Sequence, residues 1–337
     1  MKAIGFKTSL PISEADSFIA FETVKPVPSG RQLLVKVAAA SVNPVDFKVR
    51  KNSAKEQVLA SPRIIGWDAT GTVEAVGGDA SLFQPGDDVY YAGDIRLPGS
   101  NAEYQLVDER IVGKAPRKLS VEQAAAIPLT ALTAWEMLFD RLAITELDKG
   151  KTILIIGGAG GVGSIAIQLA KQVAGLTVIA TASRPESVEW CRKMGADVVV
   201  NHQNLVEEVR NAGYKYVDYI FDLVDLYQYW GTMAELIKPQ GKIGSISDPN
   251  EGVNLRLLKG KSVSFHWELM FTRSTFETDD ILEQHRILNR VSELLDNGTL
   301  TTTLTETVEG LSAESFRKAH AQLESGRTIG KLVVKYQ

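Results

Sequence analysis

The stretch TILIIGGAGGVGSIAIQLAKQV, Thr152 to Val173, constrains this 337-residue chain more than any other. Thr152 to Ile156 read as a short buried strand. A glycine-rich turn follows, running Gly158, Ala159, Gly160, Gly161, Val162, Gly163. Apolar residues then recur at 162, 165, 166, 169, 170 and 173, the spacing of one helical face. A lone GxGxxG says little; strand before and helix after give it meaning. In that context Gly158 is expected to make the tight turn. Gly160 lets a pyrophosphate approach the backbone, and Gly163 lets helix and strand pack closely. Gly161 and Val162 open the helix, whose free amides and dipole attract phosphate charge. The alternative is a glycine turn that holds no ligand.

The strand after this helix discriminates between dinucleotides. A site for NAD ends that strand with Asp or Glu, about 20 residues past the glycines, to hold the ribose hydroxyls. Here TVIATASRPES ends in Ala182, Ser183 and Arg184, and Glu186 comes only after Pro185. A carboxylate would repel a 2′-phosphate, whereas Ser183 and Arg184 can hydrogen-bond it and Arg184 adds charge. The expected cofactor is therefore NADP(H). The other reading of Arg184 is a solvated residue at a helix start. Asp222, ending the run YIFDLV, either orients a loop near the cofactor or caps the turn after it.

The surrounding rhythm fits a parallel sheet. From Lys151 the apolar runs TILII, TVIATA, DVVV, YIFDLV and KIGSI recur with helical or loop stretches between them. The first third differs. RQLLVKVAAASV, ATGTVEAVG and DDVYYAG carry β patterning separated by turn chemistry, as in PVPSG and QPGDD. SVEQAAAIPLTALTAWEMLFDRL reads as two helices broken at Pro128. The end mixes a helix, Asp279 to Asn297, with strands TTTLTETVEG and GKLVVKY. Strands at both ends imply that the C-terminus returns to the first domain. The fold class is α/β: an irregular, mostly antiparallel β domain from 1–125 and 264–337, with a doubly wound Rossmann domain, 126–263, inserted in it.

Composition narrows the partners. The net charge is −4, and no basic excess favours nucleic acid or anionic lipid. The first residues lack the apolar core of a signal peptide. No apolar run reaches the roughly 18 residues of a membrane helix. One cysteine, Cys191, excludes an internal disulfide, and a reducing cytoplasm is the simplest compartment. The four histidines are scattered, with no HExxH or CxxC. Cys191 shares a helix face with Val188 and Met194 and reads as core. No GxSxG elbow supports acyl transfer.

The combination resembles the medium-chain dehydrogenase/reductase superfamily, whose β domain is GroES-like. The resemblance covers nearly the whole chain. It is carried by SVNPVDFKVR, GWDATGTVEAVG, IPLTALTAWE, GGAGGVGSIAIQLAK, MGADVVVNH and the final GRTIGKLVV. The nearest branch is the zinc-independent quinone oxidoreductases, which are zeta-crystallin-like. Bacterial proteins labelled zinc-type alcohol dehydrogenase-like carry similar text.

The resemblance also says where zinc enzymes keep their ligands. They place a Cys where this chain has Asn43, a His-Glu pair where it has Trp67-Asp68, and a Cys near Leu129. The four-cysteine loop of the structural zinc has no counterpart. No zinc is expected, because Asn, Trp and Leu do not make the N/S coordination sphere zinc prefers. Without a Lewis acid an alcohol is hard to oxidise. Hydride from NADPH to a quinone or an enone is the implied reaction. The alternatives are an alkenal or enoyl reductase, or a non-catalytic NADPH-binding redox sensor.

Residue by residue, the resemblance puts Asn43 near nicotinamide and acceptor, and makes Asp46 the residue that fixes its loop. Lys48 stands where several relatives carry Tyr, so Lys48, Tyr91 or water is left as proton donor. Thr130 and Thr133 match the segment on the nicotinamide side, or else serve as helix-start caps. His202 stands where relatives hold the adenine ribose phosphate, or else is a surface histidine. Ser245 and Ile246 border the nicotinamide through backbone contacts. Trp67 fills the volume of a ligand and metal and shapes the acceptor floor, while Asp68 anchors a basic group or an amide. Phe265, Trp267 and Phe271 form the acceptor's apolar wall, or else pack a domain or dimer interface. A homodimer is implied.

Overall fold

The structure is a computed structural model and describes residues 1–248 and 251–336. Its contacts divide the chain into one unit of Met1–Leu132 with Phe271–Gln337, and a second of Thr133–Met270.

The first unit begins with eight strands: β1 Lys2–Phe6, β2 Ile19–Glu22, β3 Gln32–Ser41, β4 Arg63–Ile64, β5 Asp68–Val76, β6 Asp88–Tyr91, β7 Tyr104–Asp108 and β8 Val112–Lys114. β2, β1 and β4 make a small sheet. β5 reads from sequence as half-buried, yet Asp68 to Gly71 are all buried. It runs between β3 and β6 in the middle of the larger sheet. Gly71 permits that pairing, because a Cβ there would stand 2.1 Å from the Lys36 carbonyl oxygen. Helices Val121–Ala125 and Pro128–Trp135 follow, with the break at the proline.

Among the described residues the second unit holds six parallel strands: β9 Thr152–Ile156, β10 Thr177–Thr181, β11 Val198–Val200, β12 Val217–Asp222, β13 Ile237–Ser245 and β14 Ser264–Trp267. Their order is β11-β10-β9-β12-β13-β14. This is the doubly wound order, with the direction of winding reversing beside β9. Helices Gly161–Gln168, Pro185–Met194, Leu205–Asn211 and Leu226–Leu236 connect successive strands. Leu154, Ile179, Ile220, Met233 and Ile243 sit in its core. Because these strands are covered on both faces, they read as unbroken apolar runs.

The chain then returns to the first unit through helix Glu283–Asp296 and the parallel pair β15 Leu304–Glu309 and β16 Lys331–Lys335. β16 pairs antiparallel with β3, completing the seven-stranded sheet. The division nevertheless falls at 132/133 and 270/271, not at 125/126 and 263/264. Residues 264–270, expected in the returning part, instead belong to the second unit, where Phe265 and Trp267 lie on β14 and pair with Ile243 and Ser245.

Candidate active site

β9 leads straight into the glycine turn. The left-handed residue of the turn is Gly157, at φ +93°, one position before Gly158. The Gly157 amide donates to Thr181 Oγ1 at 2.9 Å, which ties the turn to the end of β10. Gly158 is a packing residue instead. A Cβ there would stand 2.8 Å from Ala180 Cβ and 3.0 Å from Cys191 Sγ. Gly163 has its expected role, since a Cβ would meet the carbonyl oxygens of Gly157 and Gly158 at 2.4 and 2.6 Å. Gly160 is different: its Cβ would meet only the Gly157 oxygen, at 3.6 Å. Its backbone is therefore open to approach, at the mouth of the helix that Gly161 and Val162 begin. That is the cradle a pyrophosphate needs.

Ser183 and Arg184 follow the end of β10, Ser183 exposed and Arg184 partly so. Arg184 starts helix Pro185–Met194, and its Nε stands 3.4 Å from Glu186 Oε1. Both side chains of this pair are well exposed, so the pair holds Arg184 only weakly. His202, half-buried, comes two residues after β11, the strand beside β10. These three residues share one edge of the sheet. Cys191 is buried and its thiol is pushed up to about 12 by that burial, as a core cysteine should be.

At the end of β12, Asp222 is buried and caps the turn that follows. Its Oδ2 accepts from Ser245 Oγ and Ser247 Oγ, each at 2.8 Å, and its Oδ1 accepts from the Val224 amide. The carboxylate thus holds the ends of β12 and β13 together. The backbone groups expected to border the nicotinamide are partly engaged. The Ser245 carbonyl accepts from the Glu268 amide, and the Ile246 amide donates to the Asp222 carbonyl. Beyond β14, Glu268 is buried against buried Glu136, and Arg141 Nε donates to Glu268 Oε2 at 2.8 Å. Burial, then the neighbouring Glu136, pushes the Glu268 carboxyl up. Nothing in the local patterning marks this pair, whose members are 132 positions apart.

The first unit holds a buried polar network. Asn43 caps helix Pro44–Asn52 at the end of β3, and its amide donates to Asp46 Oδ2 at 2.7 Å. Asp46 thus fixes the loop, as the resemblance implies. Asn43 Nδ2 donates to Asp68 Oδ2 at 3.1 Å, and Asp68 Oδ1 accepts from the Leu129 amide at 2.9 Å. Lys331, the first residue of β16, completes the set. Its Nζ donates to the Val42 carbonyl at 2.9 Å and to Asn43 Oδ1, and lies 3.3 Å from Asp68 Oδ2. Asn43, Asp46, Asp68 and Lys331 are each no more than 3% exposed. Burial pushes Asp68 up and Lys331 down, and each opposes the other's shift. Burial also pushes Asp46 up to about 7, against the Asn43 amide and Lys331.

The remaining candidates divide by environment. Lys48 is exposed on the helix that Asn43 caps. Tyr91 is fully buried, its hydroxyl has no hydrogen-bond partner among the described residues, and burial raises its phenol; this enclosure removes it as a proton donor to a substrate. Thr130 is buried and donates to the Ile127 carbonyl at 3.1 Å, while Thr133 lies one turn later on the same helix. Trp67 is fully buried, edge-on to Phe271 with centroids 6.1 Å apart. Phe271 is itself buried, so this pair is core of the first unit and not an open wall. Phe265 packs edge-on to Trp230 and Trp267 in the second unit. Trp267 is half exposed. The three residues expected as one wall therefore belong to two separate clusters. Among the described residues no three His, Cys, Asp or Glu form a group able to hold a metal. None of their helices is long and apolar enough to cross a membrane.

Comparison with known proteins places these features in a family. Residues 29–117 match the alcohol dehydrogenase GroES-like domain, and residues 161–282 match the zinc-binding dehydrogenase family. A zinc-type alcohol dehydrogenase-like protein of Staphylococcus aureus is 47% identical over 338 residues, 99% of each chain. An NADPH-dependent alkenal/one oxidoreductase of Arabidopsis thaliana is 36% identical over 228 residues, 65% of this chain and 56% of its own. Among solved structures, a Rhizobium etli protein assigned to the zinc-dependent alcohol dehydrogenases is 47% identical with a TM-score of 0.95, covering 100% of this chain and 98% of its own. The Escherichia coli quinone oxidoreductase, solved with NADPH, is 25% identical with a TM-score of 0.83, covering 99% and 100%. The chain belongs to the medium-chain dehydrogenase/reductase superfamily, in its quinone oxidoreductase-like branch. It is an oxidoreductase of that family.

Proposed function

We propose that the protein is a zinc-independent reductase that uses NADPH to reduce a quinone or an alkene conjugated to a carbonyl. The carrying observation is the chemistry at the positions where zinc enzymes of the family hold their metal. Asn43, Trp67 and Leu129 offer a carboxamide, an indole and an alkyl chain. The adjacent carboxylate, Asp68, is already bonded to an amide, a carboxamide and an ammonium. A zinc ion there would lack thiolate and imidazole donors and would face the charge of Lys331. The residues do not fit the metal, so the reading takes no step through it.

They do fit a dinucleotide. Gly160 and the start of helix Gly161–Gln168 would take the pyrophosphate, and Ser183, Arg184 and His202 the 2′-phosphate side. The names of the Arabidopsis and Escherichia coli relatives support NADPH over NADH. When bound, NADPH supplies a hydride, which an electron-poor acceptor takes without Lewis-acid help. The chain's own part is orientation and a hydrogen-bonding environment for developing negative charge on oxygen. We assign the acceptor side to Asn43, and delivery of the balancing proton to Lys48 or to water. We also take the working unit to be a homodimer. A screen of NADPH oxidation with quinones and enones tests this reading. Turnover with at least one class is expected, while NADPH binding with no oxidation of any acceptor would favour a binding protein instead.

A further inference from the structure

We propose that Lys331 is a positioning residue for the site: its buried ammonium fixes which way the Asn43 carboxamide faces. The inference rests on the reductase reading only where turnover is measured.

The geometry is specific. A carboxamide has an accepting end and a donating end of nearly the same size, and its environment decides between them. Here the accepting Oδ1 receives the Lys331 ammonium, and the donating Nδ2 faces Asp68 Oδ2 at 3.1 Å. Turning the carboxamide over would set Nδ2 against an ammonium and Oδ1 against a carboxylate. Both contacts would be repulsive, between side chains that are buried. The ammonium is itself held. It donates to the Val42 carbonyl at 2.9 Å and stands 3.3 Å from Asp68 Oδ2, and it begins β16, which is paired with both β15 and β3. A lysine that is 3% exposed in the middle of a sheet carries a large desolvation cost. Packing alone would be better served by an apolar side chain, as at its neighbours Leu332, Val333 and Val334. What only the ammonium supplies is a fixed positive charge between the Asn43 oxygen and the Asp68 carboxylate. Orientation of this kind is what a reductase without a Lewis acid depends on.

The test uses the full chain with Lys331→Met, Lys331→Arg and the double variant Lys331→Met/Asp68→Asn. Removing both partners of the Lys331–Asp68 pair in the double variant leaves neither of them as a buried ion facing an uncharged partner, so this variant serves should Lys331→Met fail to fold. The first readout needs no turnover: the side-chain amide NMR signals of Asn43, assigned by their absence in Asn43→Ala. They should be shifted in Lys331→Met and in the double variant, and near the wild-type positions in Lys331→Arg. The second readout is kinetic. kcat should fall about 10- to 100-fold in Lys331→Met, with the Kd for NADPH unchanged and partial rescue in Lys331→Arg. Unmoved Asn43 signals in both charge-removed proteins would overturn the proposal, as would wild-type kcat in either of them. If the wild-type protein reduces no acceptor, the function reading fails, and the Asn43 signals alone decide the role of Lys331.

Discussion

Single residues carry the two sharpest chemical expectations. Arg184 is the cation just after β10, beside an exposed Glu186. Replacing it with alanine should weaken NADPH binding about tenfold, near 1.4 kcal/mol, and leave NADH nearly unchanged. Equal losses for both nucleotides in a fluorescence titration would remove Arg184 from the 2′-phosphate. Asp46 gives a pH signature. Its carboxyl goes from 3.8 when unfolded to about 7 when folded, so the folded protein holds this proton more tightly. The associated stability is present below pH 3.8 and is lost as pH rises to about 7. The loss is about 1.4 kcal/mol per unit, and about 4 kcal/mol at most across the window. Asp46→Asn keeps an acceptor for the Asn43 amide and removes the titration. The Tm difference between variant and wild type should therefore move in the variant's favour from pH 4 to pH 7; a constant difference contradicts the assignment. Residues of this kind were unevenly legible. Arg184 stands out because the place where a carboxylate is expected lacks one. Lys331 does not, because its partner Asn43 lies 288 positions away and a lysine opening a strand is commonplace.

At the scale of elements, the glycine turn separates binding from folding. Gly160→Ala adds a methyl group with only one atom, at 3.6 Å, within reach. It should leave Tm within a few degrees and raise the Kd for NADPH about tenfold or more. Gly163→Ala drives a Cβ to 2.4 Å from a backbone oxygen that cannot yield. It should destabilise by about 1–3 kcal/mol or more. Thermal melts and titrations on the two proteins check both, and similar behaviour would contradict the distinction. The element itself was legible, because buried strand, glycines and helical spacing are adjacent in the chain. The division of labour inside it was not. Whether Gly157 or Gly158 turns left-handed depends on where β10 and Cys191 pack, and the motif does not contain that information.

At the scale of the whole chain, the discontinuous first unit was readable from strands at both ends, since β16 has to find an antiparallel partner and finds β3. The boundary was not. SVSFHWELMFTRS is dense in aromatics, and a short strand at a sheet edge cannot be told by pattern from a linker; pairing with β13 assigns Phe265 and Trp267 to the second unit. The polar network of the first unit joins the end of β3, the start of β5, the Leu129 amide and the start of β16. It can form only once the chain has returned, which is why no local motif announces it. That network, in place of thiolate and imidazole donors, is what supports the proposal of a reductase that works without metal. The most direct measurement is NADPH-dependent turnover of an enone or quinone before and after exhaustive dialysis against a chelator, with metal content determined on the same samples. An unchanged rate at well under one zinc per chain is expected. A rate that falls with the chelator and returns with added zinc would contradict it.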